Sequence, residues 1–164
     1  MKDLDAQATR LLVEEAAAID ERRWQDWLAL YLEDCEYWAP CWKDDDTLCA
    51  DPRSELSHVF YRSRGGLEDR VWRIGSGKSP ASRPMPRTLH SIAGVRSWSS
   101  GDARLEVRSN WTNHVFSLRD RAAEVFFGRY EHSLARSGGA WRIARKKIVL
   151  LNDQIPTYID IYHL

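Results

Sequence analysis

Three stretches decide the fold: ARLEVRSNWTNHVFSLR (residues 103–119), RAAEVFFGRYEHSLAR (121–136) and AWRIARKKIVLL (140–151). Each is rich in aromatic and β-branched residues, and turn signals, Asp120-Arg121 and Ser137-Gly138-Gly139, separate them. They read as long antiparallel strands. Leu105, Val107, Ser109, Trp111, Asn113 and Val115 share one parity, while Phe116 and Leu118 occupy the other, which predicts a bulge or a strong bend. Val125 and Phe127 oppose Phe126 and Tyr130, so both sheet faces need cover. In the last stretch Trp141 and Ile143 give way to Ile148 and Leu150, and this second change of parity predicts another twist or bulge.

Upstream of these strands, Pro80, Pro84 and Pro86 make an extended approach to Arg87-Thr88-Leu89-His90-Ser91-Ile92. Residues 6–32 carry Leu12, Ala16, Ile19, Arg23, Trp27 and Leu30 at helical spacing, with a break near Ile19 where Asp20 is placed to cap a second helix. Residues 35–39 read as a short strand ended by Pro40, and residues 57–62 as another. After Gly65-Gly66, Leu67, Val71 and Ile74 share a helical face. At the carboxyl end Tyr158, Asp160 and Tyr162 alternate with Ile159 and Ile161, so the tail is expected to be a strand that docks a subunit. The whole predicts one α+β domain over residues 1–164, in which N-terminal helices line a strongly curved, mixed or antiparallel sheet shaped as a half-open cone.

Composition removes several functions. The chain has 164 residues, with 24 basic and 24 acidic side chains and no formal net charge, which argues against nucleic acid or an anionic membrane as the main partner. Arg142, Arg145, Lys146 and Lys147 do cluster, but strand alternation spreads them over two faces. The N-terminal MKDLDAQATRLLVEE is charged before it is apolar, and no segment approaches the roughly 20 apolar residues of a membrane span. A soluble, cytoplasmic protein is therefore expected. Cys35, Cys41 and Cys49 are an odd number, without disulfide-scaffold or metal-pair spacing, and read as reduced thiols. Asp44-Asp45-Asp46 reads as a solvated loop, and residues 75–79 lack the spacing of a phosphate-binding loop. Eight tryptophans fit a core plus an oligomer interface better than a small monomer.

Candidate chemistry is sparse. A Rieske cluster needs paired cysteine and histidine ligands, yet no Cys-x-His or Cys-x-x-His occurs here. His58, His90, His114, His132 and His163 are scattered, without the spacing of a two-histidine, one-carboxylate iron site. No catalytic, cofactor or metal residue is assigned on this reading. The alternative is a dehydratase or isomerase in which Asp34, Tyr37, His58, His90 and Asn110 converge inside the cone as acid, base and hydrogen-bond donors. A third reading is a module that retains a small aromatic ligand without any partner.

Ordered sequence blocks carry a resemblance. Leu11-x-Val13-Glu14-Glu15 leads to Asp20-Glu21-Arg22-Arg23-Trp24-x-x-Trp27-Leu28-x-Leu30-Tyr31, then Asp34-x-x-Tyr37-Trp38. Gly66-Leu67-Glu68-Asp69-Arg70-Val71-x-Arg73-Ile74, Pro86-Arg87-Thr88-x-His90-x-Ile92 and Asn110-Trp111 follow. The last block is Gly138-Gly139-Ala140-Trp141-Arg142-Ile143-Ala144-Arg145-Lys146-Lys147-Ile148-x-Leu150-Leu151-Asn152-Asp153. Together they resemble the small (beta) subunit of bacterial aromatic-ring-hydroxylating dioxygenases, nearest to those acting on benzoate, anthranilate or related aromatic carboxylates. The resemblance covers nearly the whole chain.

It implies a cone-shaped fold of the nuclear-transport-factor-like and ketosteroid-isomerase-like (cystatin-like) kind. It also implies a large (alpha) subunit holding a Rieske [2Fe-2S] cluster and a mononuclear non-haem iron, with three large and three small chains and contacts among the small chains. A reductase, with or without a ferredoxin, would deliver the electrons. This chain would then be non-catalytic and would hold the large subunits in place. The interface residues expected are Arg70, Trp72, Arg73, Arg87, Trp98, Trp111, Arg145, Tyr158, Ile159, Ile161 and Tyr162.

Overall fold

The computed structural model describes residues 3–101, 103–155 and 158–164; Met1 and Lys2 of the N-terminal stretch lie outside the described residues. Helix α1 (Leu4–Asp20) starts where the Asp3 carboxylate accepts the Ala6 amide at 3.1 Å, satisfying one of the amides a helix start leaves without a partner. It stops as Arg22 takes φ 57°, and the short α2 (Trp24–Ala29) follows. The break falls where the sequence placed it. Asp20 does not cap α2, however: Arg23 is the N-cap residue and makes no side-chain capping bond, and the Asp20 carboxylate is engaged elsewhere.

Strands β1 (Tyr31–Pro40) and β2 (Ser57–Tyr61) precede α3 (Arg64–Ser76), which ends on Gly77 at φ 71°, the left-handed conformation that suits glycine at a helix end. The long strands β3 (Arg87–Ser99), β4 (Arg104–Ser117), β5 (Ala122–Ser137) and β6 (Ala140–Leu150) complete one six-stranded sheet in the order β2-β1-β6-β5-β4-β3. Only β1 and β6 run parallel; every other neighbouring pair is antiparallel. The fold is thus mixed α+β with nuclear-transport-factor-like topology.

The strongly curved, half-open cone is corrected. The sheet is open, with β2 and β3 as free edges. Strands β4 and β5 keep an unbroken register from Arg104↔Ala135 to Ser117↔Ala122, so the bulge expected near Phe116 does not form. Phe116 sits on the other parity because it lies on the outer sheet face, in solvent, and not because the strand turns over. The second parity change is a real irregularity: Leu134 faces Ile143 while Ser133 faces Arg145, so Ala144 is the extra residue. Another shift lies in β3, between Ala93 and Arg96.

The core fills the inner face. Leu105, Val107, Trp111, Val115, Phe126, Tyr130, Leu134, Ile143 and Ile148 pack against Leu12 and Ile19 of α1 and Leu67, Val71 and Ile74 of α3. The tail joins this core, which overturns the strand expected there: Ile161–His163 is a 3-10 turn, and Ile161, Tyr162 and Leu164 are buried. Two polar contacts explain why it turns inward. The Asn113 amide donates to the Tyr162 and His163 carbonyls at 3.0 and 3.1 Å, and Arg70 on α3 pairs with Asp160, its Nε donating at 2.8 Å. Gly128 lets β5 approach β6, since a Cβ there would lie 1.8 Å from the Val149 carbonyl oxygen.

Candidate functional site

Two polar clusters lie on the inner sheet face. The first is ionic. Register places Val107, His132, Lys146 and Tyr37 in one row across β4, β5, β6 and β1, and α1 lowers Glu15 onto that row. Glu15 and Lys146 are 2% and 1% exposed, so an isolated charge here would be very costly. They meet at 2.7 Å. The Tyr31 hydroxyl and the Trp27 indole also donate to the same carboxylate oxygen, the indole at 3.4 Å, and His132 lies 3.6 Å from the second oxygen. The Lys146 ammonium rests 4.1 Å from the Tyr130 ring centroid.

Burial alone would raise the Glu15 pKa, but the charge of Lys146 and the neighbouring His132 outweigh it and hold the carboxyl well below its usual range. Burial pushes Lys146 and His132 down in turn. Glu15, His132 and Lys146 are all enclosed in the core. The cluster ties α1 to β6 across the core.

The second cluster joins α1 to β3 and to the tail. Asp20 receives the His90 ring Nδ1 at 2.6 Å, the His90 amide at 2.8 Å and the Thr88 hydroxyl at 2.8 Å. Burial would raise the Asp20 pKa, and the bonds from His90 and Thr88 lower it overall. Thr88 and His90 are therefore a clamp on the end of α1. His90 faces Asn113 across the strands, and Asn113 holds the tail turn. His163 caps that turn by accepting the Asp160 amide at 2.9 Å, and burial pushes its pKa down to about 4. Among the described residues no group of three histidine, cysteine or acidic side chains is arranged to hold a metal ion.

The five residues of the enzymatic alternative do not come together. Asp34 and Asn110 are exposed, and Asn110 lies on the outer face, opposite the inner face that holds His90 and Tyr37. Tyr37 belongs to the row beside Lys146, whereas His58 is half-buried on the edge strand β2. His90 has Asp20 as its carboxylate partner, not Asp34. Strand parity in 104–117 already separates Asn110 from its neighbours; the Asp20 contact, 70 residues distant in sequence, carried no local signal.

The expected interface residues divide into two groups. Trp111, Ile161 and Tyr162 are enclosed by their own chain, and Trp111 stacks on Tyr130 with centroids 5.1 Å apart. Arg70 braces Asp160, and Arg145 pairs with Glu36 at 3.0 Å. Trp72 stands 61% exposed on α3, with the Lys78 ammonium 5.3 Å from its ring centroid. Trp98 lies under the Arg108 guanidinium at 5.5 Å. Arg73 and Arg87 are exposed, Tyr158 is partly exposed and donates to the Ala81 carbonyl at 2.7 Å, and Ile159 is half-buried.

Comparison with known proteins adds family and fold. Residues 14–157 match the ring hydroxylating beta subunit family. The small subunit of 2-halobenzoate 1,2-dioxygenase from Burkholderia cepacia is 42% identical over 150 residues, covering 92% of this chain and 90% of the relative. The crystal structure of the beta subunit of benzoate 1,2-dioxygenase from Burkholderia mallei superposes with a TM-score of 0.80 at 34% identity, covering 97% of this chain and 96% of that one. A hexachlorocyclohexane dehydrochlorinase superposes at a TM-score of 0.64 with 14% identity, covering 99% and 97%, and shares the fold alone.

Proposed function

This chain belongs to the ring-hydroxylating β-subunit family, as a small subunit of the benzoate- and anthranilate-like dioxygenases, and from that premise we propose how it serves its complex. Small subunits of this family are non-catalytic partners that assist a large oxygenase subunit. The observation that carries the reading is the family match over residues 14–157. Two features of the fold support it. Glu15 and Lys146, Asp20 and His90, and Asn113 hold α1, the sheet and the tail together. The donor set also does not suit an iron site, for the sequence has no Cys-x-His or Cys-x-x-His pair and His90 is engaged by Asp20.

On this proposal the iron chemistry belongs to the large subunit, which would hold a Rieske [2Fe-2S] cluster and a mononuclear iron and oxidise an aromatic carboxylate. This chain rigidifies the assembly, so that three large and three small subunits keep a fixed electron-transfer geometry in the cytoplasm. A reductase, with or without a ferredoxin, supplies electrons. Trp72, Arg73, Arg87, Trp98, Tyr158 and Ile159 are proposed to meet neighbouring subunits. Among the described residues no helix is long and apolar enough to cross a membrane, which is compatible with that setting.

The test is co-expression with a benzoate-type large subunit, followed by native mass measurement and a ring-oxidation assay. Equal numbers of the two chains, and turnover only when both are present, are the expected results. Stoichiometric iron and ring oxidation by the purified small chain alone would overturn the reading.

A further inference from the structure

Beyond Pro40 the chain makes a small hairpin whose arms pair through Trp42 and Leu48. The Lys43 amide donates to the Thr47 carbonyl at 2.8 Å, and the Cys49 amide donates to the Cys41 carbonyl at 2.9 Å. In an antiparallel ladder these two bonds flank the Trp42 and Leu48 pair and set Cys41 directly opposite Cys49, with both side chains on the same face. Opposed residues joined by such a bond have Cα atoms about 5.5 Å apart, inside the roughly 4.4–6.8 Å that a disulfide spans. Cys35, by contrast, is enclosed in the core.

The hairpin holds its shape without a bond between the sulfurs, for all three cysteines are free thiols. The Asp44 carboxylate fixes the turn by accepting the Asp46 and Thr47 amides at 3.0 and 2.7 Å. Glu55 accepts the Asp51 amide at 2.9 Å and pairs with Lys43. The Trp42 indole donates to the Leu150 carbonyl at 2.8 Å and ties the first arm to β6. Backbone and carboxylate bonds thus deliver two thiols to facing positions, so little further chain entropy is lost when they join. Their access differs: Cys49 is 5% exposed, while Cys41 is half-buried.

We propose that Cys41 and Cys49 form a redox pair, which a small-molecule disulfide such as oxidised glutathione converts to an intrachain cross-link across this hairpin. The accessible Cys41 thiolate attacks one sulfur of the oxidant, a mixed disulfide forms and one small thiolate leaves. The Cys49 thiolate then attacks the Cys41 sulfur, the mixed disulfide breaks and the second small thiolate leaves. The two protons lost by the protein thiols end on the two leaving thiolates; the protein gives up two electrons and the oxidant gains them. Burial, with Cys49 and Asp153 nearby, holds the Cys41 thiol above its ordinary range, so the reaction is slow at neutral pH and quickens as pH rises. The product closes residues 42–48, with the acidic Asp44 to Asp46, into a covalent ring. None of this needs the large subunit.

The experiment treats the purified chain with oxidised glutathione at mildly alkaline pH, alkylates the remaining thiols and reads intact mass and linked peptides. The chain should lose the mass of two hydrogens, join Cys41 to Cys49 and leave Cys35 free; dithiothreitol should reverse the change. Cys49→Ser should stop at a mixed disulfide on Cys41, and Cys41→Ser should give neither product, with circular dichroism confirming that both variants fold. Below the thiol pKa the rate should rise about tenfold per pH unit, following the thiolate fraction. In urea, where the hairpin is lost, Cys35 should enter the cross-links. A folded wild-type chain that keeps three free thiols, stops at the mixed disulfide, or links Cys35 or a second chain overturns the proposal. So does formation of the same bond as fast and as selectively in urea, since the hairpin would then have no part in bringing the thiols together.

Discussion

The two faces of the β3 to β6 sheet invert the usual distribution of side chains. The inner face encloses a lysine, a glutamate and three histidines, while the outer face leaves two phenylalanines, two leucines and a valine in contact with solvent. Both arrangements are stable for identifiable reasons. The enclosed charges are neutralised in place, by a 2.7 Å ion pair, tyrosine and indole donors and a ring face under the ammonium. The exposed apolar row lies on strands whose other side is already anchored in the core, so the fold loses little by leaving it uncovered. Substitutions on the inner face should therefore disturb folding far more than those on the outer face.

The largest effect should come from removing what closes the inner face. Deleting residues 158–164 takes away Ile161, Tyr162 and Leu164, and each large core truncation costs about 2–5 kcal/mol, so the sum rivals a typical domain stability of about 5–15 kcal/mol. Loss of the cooperative urea transition is expected; a shortened chain that melts like the full one would show the tail to be peripheral.

Breaking the enclosed ion pair comes next. Lys146→Met leaves Glu15 buried without its counter-charge and should cost about 3–5 kcal/mol, whereas Glu15→Leu combined with Lys146→Met should recover most of it. Denaturant midpoints of the two singles and the double close this cycle. An additive double variant would mean that the pair acts as two unrelated residues.

Acid should act most strongly on the inner face. Burial holds His163 at about 4, against an ordinary value of 6.5. Between those values the unfolded chain binds a proton that the folded chain refuses, so stability is complete above about 6.5 and is lost as pH falls. The loss by pH 4.5 is about 2 kcal/mol from this residue. His132, lowered by burial, adds with the same sign, and the lowered carboxyls of Glu15 and Asp20 add further loss in stronger acid. Urea midpoints at pH 7 and 4.5 measure it, and His163→Gln should flatten the difference. A midpoint that rises in acid would contradict the burial argument.

The smallest effect belongs to the outer face. Phe127→Ala should move the stability of the isolated chain by less than about 1 kcal/mol, since surface substitutions seldom do more. A shift comparable to that of Lys146→Met would mean the outer row supports the fold itself, and the contrast between the faces would disappear.

Legibility in the sequence followed the range of each interaction. The helix break at Asp20, the helical face of Leu67, Val71 and Ile74 and the three long strands were readable because each depends on neighbours within a few positions. The parity change from Ile143 to Ile148 correctly signalled a bulge. The same kind of signal at Phe116 did not, because a residue on the opposite parity marks either a bulge or an apolar outer face, and a single strand does not say which. The tail misled for a related reason: alternation in Tyr158 to Tyr162 suits a strand, but Asn113 and Arg70, distant in sequence, draw it inward onto the core.

What the sequence determined by itself was the main helices and the strands of the sheet, their order and the family, since periodicity, turns and ordered motifs are local properties that survive without a partner in space. The tertiary structure alone decided that the sheet stays open, that Lys146 turns inward to Glu15 while Lys147 turns out, and that Asp20 clamps His90 and does not cap a helix. These are contacts between residues 70 to 131 positions apart. Their energy depends on distance and burial, and a linear sequence specifies neither until the chain has folded.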